Sequence, residues 1–118
     1  MKFFLVIVLS LAVSTFVTAQ DSDDWTTIPW NPNDQTLVGA LNGGLKDALP
    51  QAAHLLGPGQ WSLAQVTDVR ERSEGDNGTD YDFDVNITNG KDIADLTLTV
   101  YRSPGGEVNQ LLFWIINP

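Results

Sequence analysis

The amino-acid sequence predicts an α+β fold in which one helix packs on a four- to five-stranded antiparallel sheet. The first observation is a single amphipathic stripe in the first half of the chain, with apolar residues recurring every three to four positions. The second is a series of later stretches in which apolar and polar residues alternate, and the third is the tight-turn chemistry between those stretches. Strands that follow one another beside a single helix are typical of a helix layer on an antiparallel sheet.

Residues 1–19 have the pattern of a secretory signal peptide. Lys2 is followed by an apolar run over residues 3–13 and by the small-residue pattern Val17-Thr18-Ala19. The apolar run is shorter than the roughly 20 residues that a membrane span needs. The alternative interpretations of this segment are a membrane anchor and an N-terminal core helix. Cleavage after Ala19 would leave residues 20–118 as one small, secreted, extracellular domain.

The chain is acidic and has no cysteine. It contains 15 acidic and 6 basic residues, a formal net charge of −9. Because phosphate groups would be repelled, we expect neither nucleic acid nor an anionic membrane as a partner. The charge favours solubility or a basic partner. Without cysteine, a disulfide, a thiol nucleophile and a zinc–thiolate site are excluded.

Residues 31–56 are predicted to form the helix. Asn31 is the expected N-cap and Pro32 the expected first helical residue. Pro50 should end or kink the helix near residue 49, residues 51–56 add a last turn or two, and Gly57-Pro58-Gly59 stops it. Glycines within the stripe weaken the helix or let a sheet approach closely. The stripe is Leu37, Val38, Leu41, Leu45, Ala48, Leu49 and Ala52, and its glycines are Gly39, Gly43 and Gly44.

Upstream of the helix, Trp25, Ile28 and Trp30 are too apolar for a free tail. They are expected to form a short strand, to cover an open sheet face, or to await a partner.

Four longer strands are predicted after the helix. Residues 61–69 alternate with a change of phase that indicates a bulge, although a short helix also fits them. Residues 80–88 alternate regularly and follow an Asn-Gly hairpin turn within residues 74–78. Residues 95–101 are predicted to form the next strand after a turn over residues 88–92. Residues 110–116, beyond the turn at 103–106, are apolar on both faces, which indicates a strand that is central, is covered on both sides, or pairs with something else.

Several residues within this order are characteristic of one protein family. They are Gly57-Pro58, Trp61, Leu63, Val66-Thr67-Asp68-Val69, Gly75, Asn77, the stretch 81–85, and Leu98-Thr99-Val100-Tyr101 before Pro104. On these residues the chain resembles the cystatins, which inhibit papain-like cysteine (thiol) proteases. The resemblance covers residues 30–118 and implies a cystatin-like fold. In that family, two hairpin turns and an N-terminal segment form a wedge that fills the protease cleft.

The resemblance implies protease contacts at Glu71, Arg72, Ser73, Glu74 and Gly75 in the first hairpin, and at Pro104 and Gly105 in the second turn. The sequence departs from the family motifs at both places. The family has Gln-Val-Val-Ala-Gly where residues 71–75 agree only in the glycine, and it has Pro-Trp where Gly105 follows Pro104. The paired cysteines of secreted cystatins are also absent.

Other chemistry is sparse in the sequence. His54 is the single histidine and is interpreted as a surface or end-of-helix residue, so we expect no catalytic site, no enzyme activity and no cofactor. Asp80, Asp82 and Asp84 share one face of a strand but lack the spacing of a calcium loop, so they are interpreted as a solvated face and no metal site is expected. Asn77 and Asn86 begin N-glycosylation sequons, which predict a glycoprotein.

The sequence therefore leads to the hypothesis of a secreted, reversible inhibitor of papain-like cysteine proteases that acts by wedge insertion. The alternative is a non-inhibitory secreted binding or structural protein of the same fold. A monomer is expected, with a strand-exchanged dimer through residues 111–116 as the alternative.

Overall fold

One helix packs on one face of an antiparallel sheet in the computed structural model of the chain, which confirms the predicted α+β class. The structure describes residues 5–8 and 25–118, and of residues 5–8 only the backbone. The elements, in chain order, are β1 (Leu5–Val8), β2 (Thr26–Ile28), α1 (Gln35–Leu56), β3 (Ser62–Ser73), β4 (Thr79–Thr88), β5 (Ile93–Arg102) and β6 (Asn109–Asn117).

The strands form a single sheet in the order β1-β6-β5-β4-β3-β2, and every neighbouring pair is antiparallel. Strands β3 to β6 are joined in succession by tight turns, as the sequence predicts. Strand β1 falls within the predicted signal peptide, so residues 20–118 contribute five of the strands. The predicted cleavage site after Ala19 and the acidic residues at 21–24 lie outside the described residues.

The helix begins later than the sequence predicts and ends at Leu56, the last residue of the predicted range. Asp34, not Asn31, is the N-cap, because its carboxylate accepts hydrogen bonds from the backbone N–H groups of Thr36 and Leu37 at 3.0 and 3.3 Å. The carbonyl of Asn31 instead accepts the N–H of Asp34 in a turn that leads into the helix. Of the two predicted effects of Pro50, an end of the helix near residue 49 is wrong. Pro50 lies on the exposed side, and the helix continues through it over the predicted residues 51–56.

The apolar stripe of α1 packs on β5 and β6, and two of its glycines are required there. A Cβ at Gly43 would lie 2.6 Å from the Cβ of Asn109, and one at Gly44 would lie 2.6 Å from a methyl group of Val100. The expectation that glycine lets the sheet approach is therefore confirmed. The residues of α1 buried at this interface are Leu37, Ala40, Leu41, Gly44, Leu45, Ala48 and Ala52.

The structure also accounts for the apolar segment before the helix and for the change of phase in the first strand of the hairpin. Residues 26–28 form the short strand β2 on β3, and the ring of Trp30 contacts Phe83 edge-on at 6.5 Å between ring centroids. The tryptophan and the short strand thus cover the core. Strand β3 shows two register shifts, at 63–65 and 66–68, which confirms the predicted bulge and excludes the alternative helix.

The two faces of the sheet differ in chemistry. The face under α1 is apolar and includes the fully buried side chains of Phe83, Leu98 and Trp114. The opposite face, named here the polar face, carries Asp80, Asp82 and Asp84 on β4. The prediction that these aspartates form a solvated face is wrong for Asp80 and Asp82. Asp80 is only 7% exposed, because arginine and threonine side chains of the neighbouring strands cover this part of β4.

Candidate functional site

Three chain segments meet at one end of the sheet, named here the loop end. They are the β3–β4 tip at residues 74–78, the β5–β6 turn at residues 103–108, and the segment that enters β2 at Trp25. The strand register fixes this arrangement, because Thr79 on β4 pairs with both Ser73 on β3 and Arg102 on β5. Strand β2 runs antiparallel to β3 with Thr26 opposite Glu71, so the chain before it also lies toward the tip.

The β3–β4 tip is a short, internally hydrogen-bonded loop. The N–H of Glu74 donates to the carbonyl of Gly78 at 2.8 Å, and a 3-10 turn (Gly75–Asn77) fills the space between them. The side chain of Ser73 accepts the N–H of Gly75 at 3.1 Å. Because both ends of the loop are tied, the tip presents exposed residues 74–77 in a defined conformation.

The β5–β6 turn is closed by Ser103. Its N–H donates to the carbonyl of Val108 at 3.0 Å, and its hydroxyl accepts the N–H of Val108 at 3.0 Å. The guanidinium of Arg102 lies against Gly106 and donates to the side chain of Asn109 at 2.8 Å. Pro104, Gly105 and Val108 are exposed at this turn, and Val108 is its one exposed large apolar side chain.

The two loops are connected to each other. The hydroxyl of Tyr101 donates to the backbone carbonyl of Asn77 at 2.7 Å, which joins the end of β5 to the β3–β4 tip. A Cβ at Gly78 would overlap the carbonyl oxygen of Arg102, and Gly78 has a φ of 108°. Position 78 therefore requires glycine for both its backbone conformation and its close approach to β5. The loop end is thus one surface rather than two independent loops.

Arg72 connects the N-terminal segment to the first tip. Its guanidinium carbon lies 4.6 Å from the centroid of the Trp25 ring, a cation–π contact. The same guanidinium lies 3.0 Å from the carboxylate of Asp80 and 3.2 Å from that of Glu74. Burial raises the pKa of Glu74, and the nearby Asp80 carboxylate raises it further against the opposing effect of Arg72.

The structure separates the seven predicted protease-contact residues into two groups. Glu71, Arg72 and Ser73 lie within β3, where Glu71 pairs with Tyr81, Arg72 with Asp80 and Ser73 with Thr79. Glu74 and Gly75 lie in the first tip, and Pro104 and Gly105 lie in the second turn. The last four are exposed at the loop end, and the first three form the strand that supports it.

The polar face carries a network of paired side chains instead of an open charged surface. The carboxylate of Asp82 accepts hydrogen bonds from Arg70 and from Thr99, each at 2.8 Å. That of Asp84 accepts the hydroxyl of Thr97 at 2.7 Å. Burial raises the pKa of Asp82, while the Thr99 hydrogen bond and Arg70 act in the opposite direction. Within the described part of the chain, no three His, Cys, Asp or Glu residues are grouped to hold a metal ion.

The sequons and the histidine occupy different environments. Asn77 lies exposed in the first tip, whereas Asn86 is half-buried in the middle of the sheet, between Gln65 and Asp95. His54 is exposed in the last turn of α1, as predicted.

Sequence reasoning missed three residues of the loop end. The roles of Trp25, Tyr101 and Val108 depend on the register that brings separate segments together, and no local pattern encodes that register. The alternation of β5 does place Tyr101 on the polar face, two residues beyond Thr99. The alternation predicts which face of the sheet Tyr101 lies on, but it does not predict that its hydroxyl contacts Asn77.

No helix in residues 5–8 and 25–118 is long and apolar enough to cross a membrane. No protein-family model matches the chain, and neither a curated protein nor a solved structure matches it. The cystatin resemblance therefore remains a prediction from the sequence.

Proposed function

We propose that the protein is a secreted, cystatin-like inhibitor that blocks a papain-like cysteine protease by inserting its loop end into the active-site cleft. The convergence of the β3–β4 tip, the β5–β6 turn and the Trp25 segment at one end of the sheet supports this proposal. Such an inhibitor needs no chemistry of its own. It acts by steric occlusion, because three adjacent segments fill a cleft that a single loop would leave partly open.

The hydrogen bonds of the loop end favour tight binding. Ser73 and Ser103 each fix a loop through a side chain, and Tyr101 ties the first tip to β5. A surface that is already ordered loses less conformational entropy when it binds. The cost of association is therefore lower than for two free loops.

The charges in residues 71–74 do not oppose this function as they would in an extended loop. Arg72 is paired with Asp80 and Glu74 and lies against Trp25. A paired arginine that stays on the inhibitor does not have to be buried alone in the cleft, which would be strongly unfavourable. The second turn lacks the family tryptophan, and Trp25 and Val108 supply apolar surface beside the two loops.

The test is a titration of the secreted protein against a panel of papain-like proteases with a fluorogenic peptide substrate. Asp76→Arg at the first tip is compared with Asp92→Arg, an identical exposed change in the β4–β5 turn at the opposite end of the sheet. We expect Asp76→Arg to weaken inhibition about tenfold or more, which corresponds to about 1.4 kcal/mol. Asp92→Arg should leave inhibition unchanged. Absence of inhibition by the folded protein, or equal loss in both variants, would refute the proposal.

The acidity of the loop end favours a second candidate function, a non-inhibitory secreted protein that binds a basic partner. Glu74, Asp76 and Glu107 are all exposed there. Exposed charge pairs weaken as salt rises, since counterions screen them. Salt-sensitive binding to basic proteins, lost in Asp76→Arg and retained in Asp92→Arg, together with no protease inhibition, would support this second candidate.

A further inference from the structure

Strand β6 differs in charge from the other long strands of the sheet. The comparison is with strands of more than three residues within residues 25–118. Strands β3, β4 and β5 each contain charged residues, whereas Asn109–Asn117 contains none. From Phe113 to Asn117, β6 also has no proline and no register shift. Charges, prolines and bulges are the features that keep an edge strand from pairing with another chain. The edge of β6 lacks this protection.

The opposite edge of the sheet is protected by the brevity of β2 and by the bulges and charge of the uncovered part of β3. Strand β2 has three residues, Thr26–Ile28, so it offers few backbone groups for pairing. Residues 62–68 of β3 extend past β2, and this part of the edge contains two register shifts and the charged Asp68. The two edges are therefore not equivalent, and a partner strand would add to β6.

The structure itself shows that the β6 edge accepts an antiparallel strand. Residues Phe113 to Ile116 pair with Val8 to Leu5 of β1. This covering strand belongs to the predicted signal peptide. If the peptide is removed after Ala19, the chain loses its own occupant of the edge, and the backbone N–H and C=O groups of β6 that face β1 lose their partners.

We propose that removal of residues 1–19 exposes the β6 edge and that two mature copies of this chain then pair through it, β6 against β6. Antiparallel pairing of identical strands satisfies a two-fold axis, so the same surface serves in both copies. With five strands, β2 to β6, from each copy, the dimer has one continuous sheet of ten.

Side-chain chemistry favours a second copy as the occupant. Opposite residues of antiparallel strands point to the same face, so a two-fold axis at Trp114 sets Phe113 opposite Ile115 of the other copy. Both residues lie on the polar face, and Phe113 is 37% exposed. Pairing covers these apolar side chains with each other. In a chain with a net charge of −9, the uncharged strand is also the one where two copies approach with the least repulsion.

This dimer is compatible with the loop end. Because the paired strands run in opposite directions, the two loop ends lie at opposite ends of the joint sheet. Each remains free, so the dimer presents two equivalent binding surfaces.

The test uses the full chain expressed through a secretory pathway, with the N-terminus of the product determined by mass spectrometry. Sedimentation analysis over a wide concentration series should show a dimer in equilibrium with monomer. Phe113→Lys should abolish the dimer, because it places two charges in the paired edge. Ile93→Lys is the matched control: it replaces an exposed apolar residue (70% exposed) at the start of β5 and should leave the dimer intact.

Amide hydrogen exchange provides a second measurement that needs no variant. The amides of residues 113–116 should exchange more slowly as the concentration rises, whereas those of β2 should not change. A monomer at every concentration, a dimer unaffected by Phe113→Lys, exchange in β6 that is independent of concentration, or a secreted product that retains residues 5–8 would each overturn the proposal.

Discussion

Alanine substitution of the three glycines of α1 should change stability in opposite directions, although all three lie in one helix. In an exposed helix, glycine to alanine stabilises by about 1 kcal/mol, because alanine loses less backbone entropy on folding. The structure predicts that this gain appears at Gly39 and is outweighed at Gly43 and Gly44. The difference lies in what a new methyl group would meet.

At Gly39 the nearest atom to an added Cβ is the terminal nitrogen Nη1 of Arg102, at 3.2 Å. The end of a long side chain moves by a few tenths of an ångström at little cost, so we expect a net stabilisation of about 0.5–1 kcal/mol. At Gly43 the Cβ would meet the Cβ of Asn109 at 2.6 Å and its backbone oxygen at 3.0 Å. Backbone cannot yield in this way, and overpacking costs about 1–3 kcal/mol. With the helix gain subtracted, Gly43→Ala should destabilise by up to about 2 kcal/mol.

Gly44→Ala would meet a methyl group of Val100 at 2.6 Å and offers an internal check. Shortening that neighbour should relieve the overlap, so Gly44→Ala and Val100→Ala should destabilise less together than the sum of their separate effects. Urea unfolding followed by tryptophan fluorescence gives each free energy of unfolding. The same sign of change for Gly39→Ala and Gly43→Ala would refute the argument, since propensity alone would then explain both.

Two further predictions concern the polar face and the sequons. The pKa of Asp82 is raised in the folded chain, so above pH about 3.8 the native state binds more protons than the unfolded state. The free energy of unfolding should therefore fall as the pH rises through this window. In urea unfolding between pH about 4 and neutral, Asp82→Asn should show a smaller decrease than the wild type, and an equal decrease would contradict the assignment. Glycosidase treatment of the secreted protein should remove a glycan from Asn86→Gln but not from Asn77→Gln, because Asn77 is exposed in the tip whereas Asn86 lies within the sheet; a glycan at position 86 alone would contradict this. A glycan on Asn77 would obstruct insertion of the tip into a protease cleft, so protease inhibition should strengthen once that glycan is removed.

The fold could be predicted from the sequence because local patterns agree with the tertiary arrangement. The alternation over residues 80–88 predicts β4, and the structure places Tyr81, Phe83, Val85 and Ile87 on the buried face. The predicted apolar stripe likewise forms the face of α1 that packs on the sheet. Both patterns are local consequences of burying one side of an element.

The errors arise where local propensity meets tertiary context. Pro50 lacks an N–H, but it lies on the exposed side of α1 while Ala48 and Ala52 are buried on the sheet, so packing continues the helix through it. The burial of Asp80 and Asp82 depends on Arg72 and Arg70, which lie opposite them on β3. Register across the hairpin decides that pairing, and the alternation of one strand contains no information about its neighbour.

The surfaces available for binding can be narrowed by considering which polar and apolar groups already have partners. One face of the sheet is covered by α1, and the central carboxylates of the other face accept hydrogen bonds from Arg70, Arg72 and threonines of β5. A ligand for that face would have to break internal hydrogen bonds before it could form its own. The new hydrogen bonds would then do no more than replace those that were lost. The loop end and the β6 edge are different, because the first exposes charges at an ordered surface and the second is covered only by a strand from the predicted leader. Specific binding by the mature chain should therefore be concentrated at these two places.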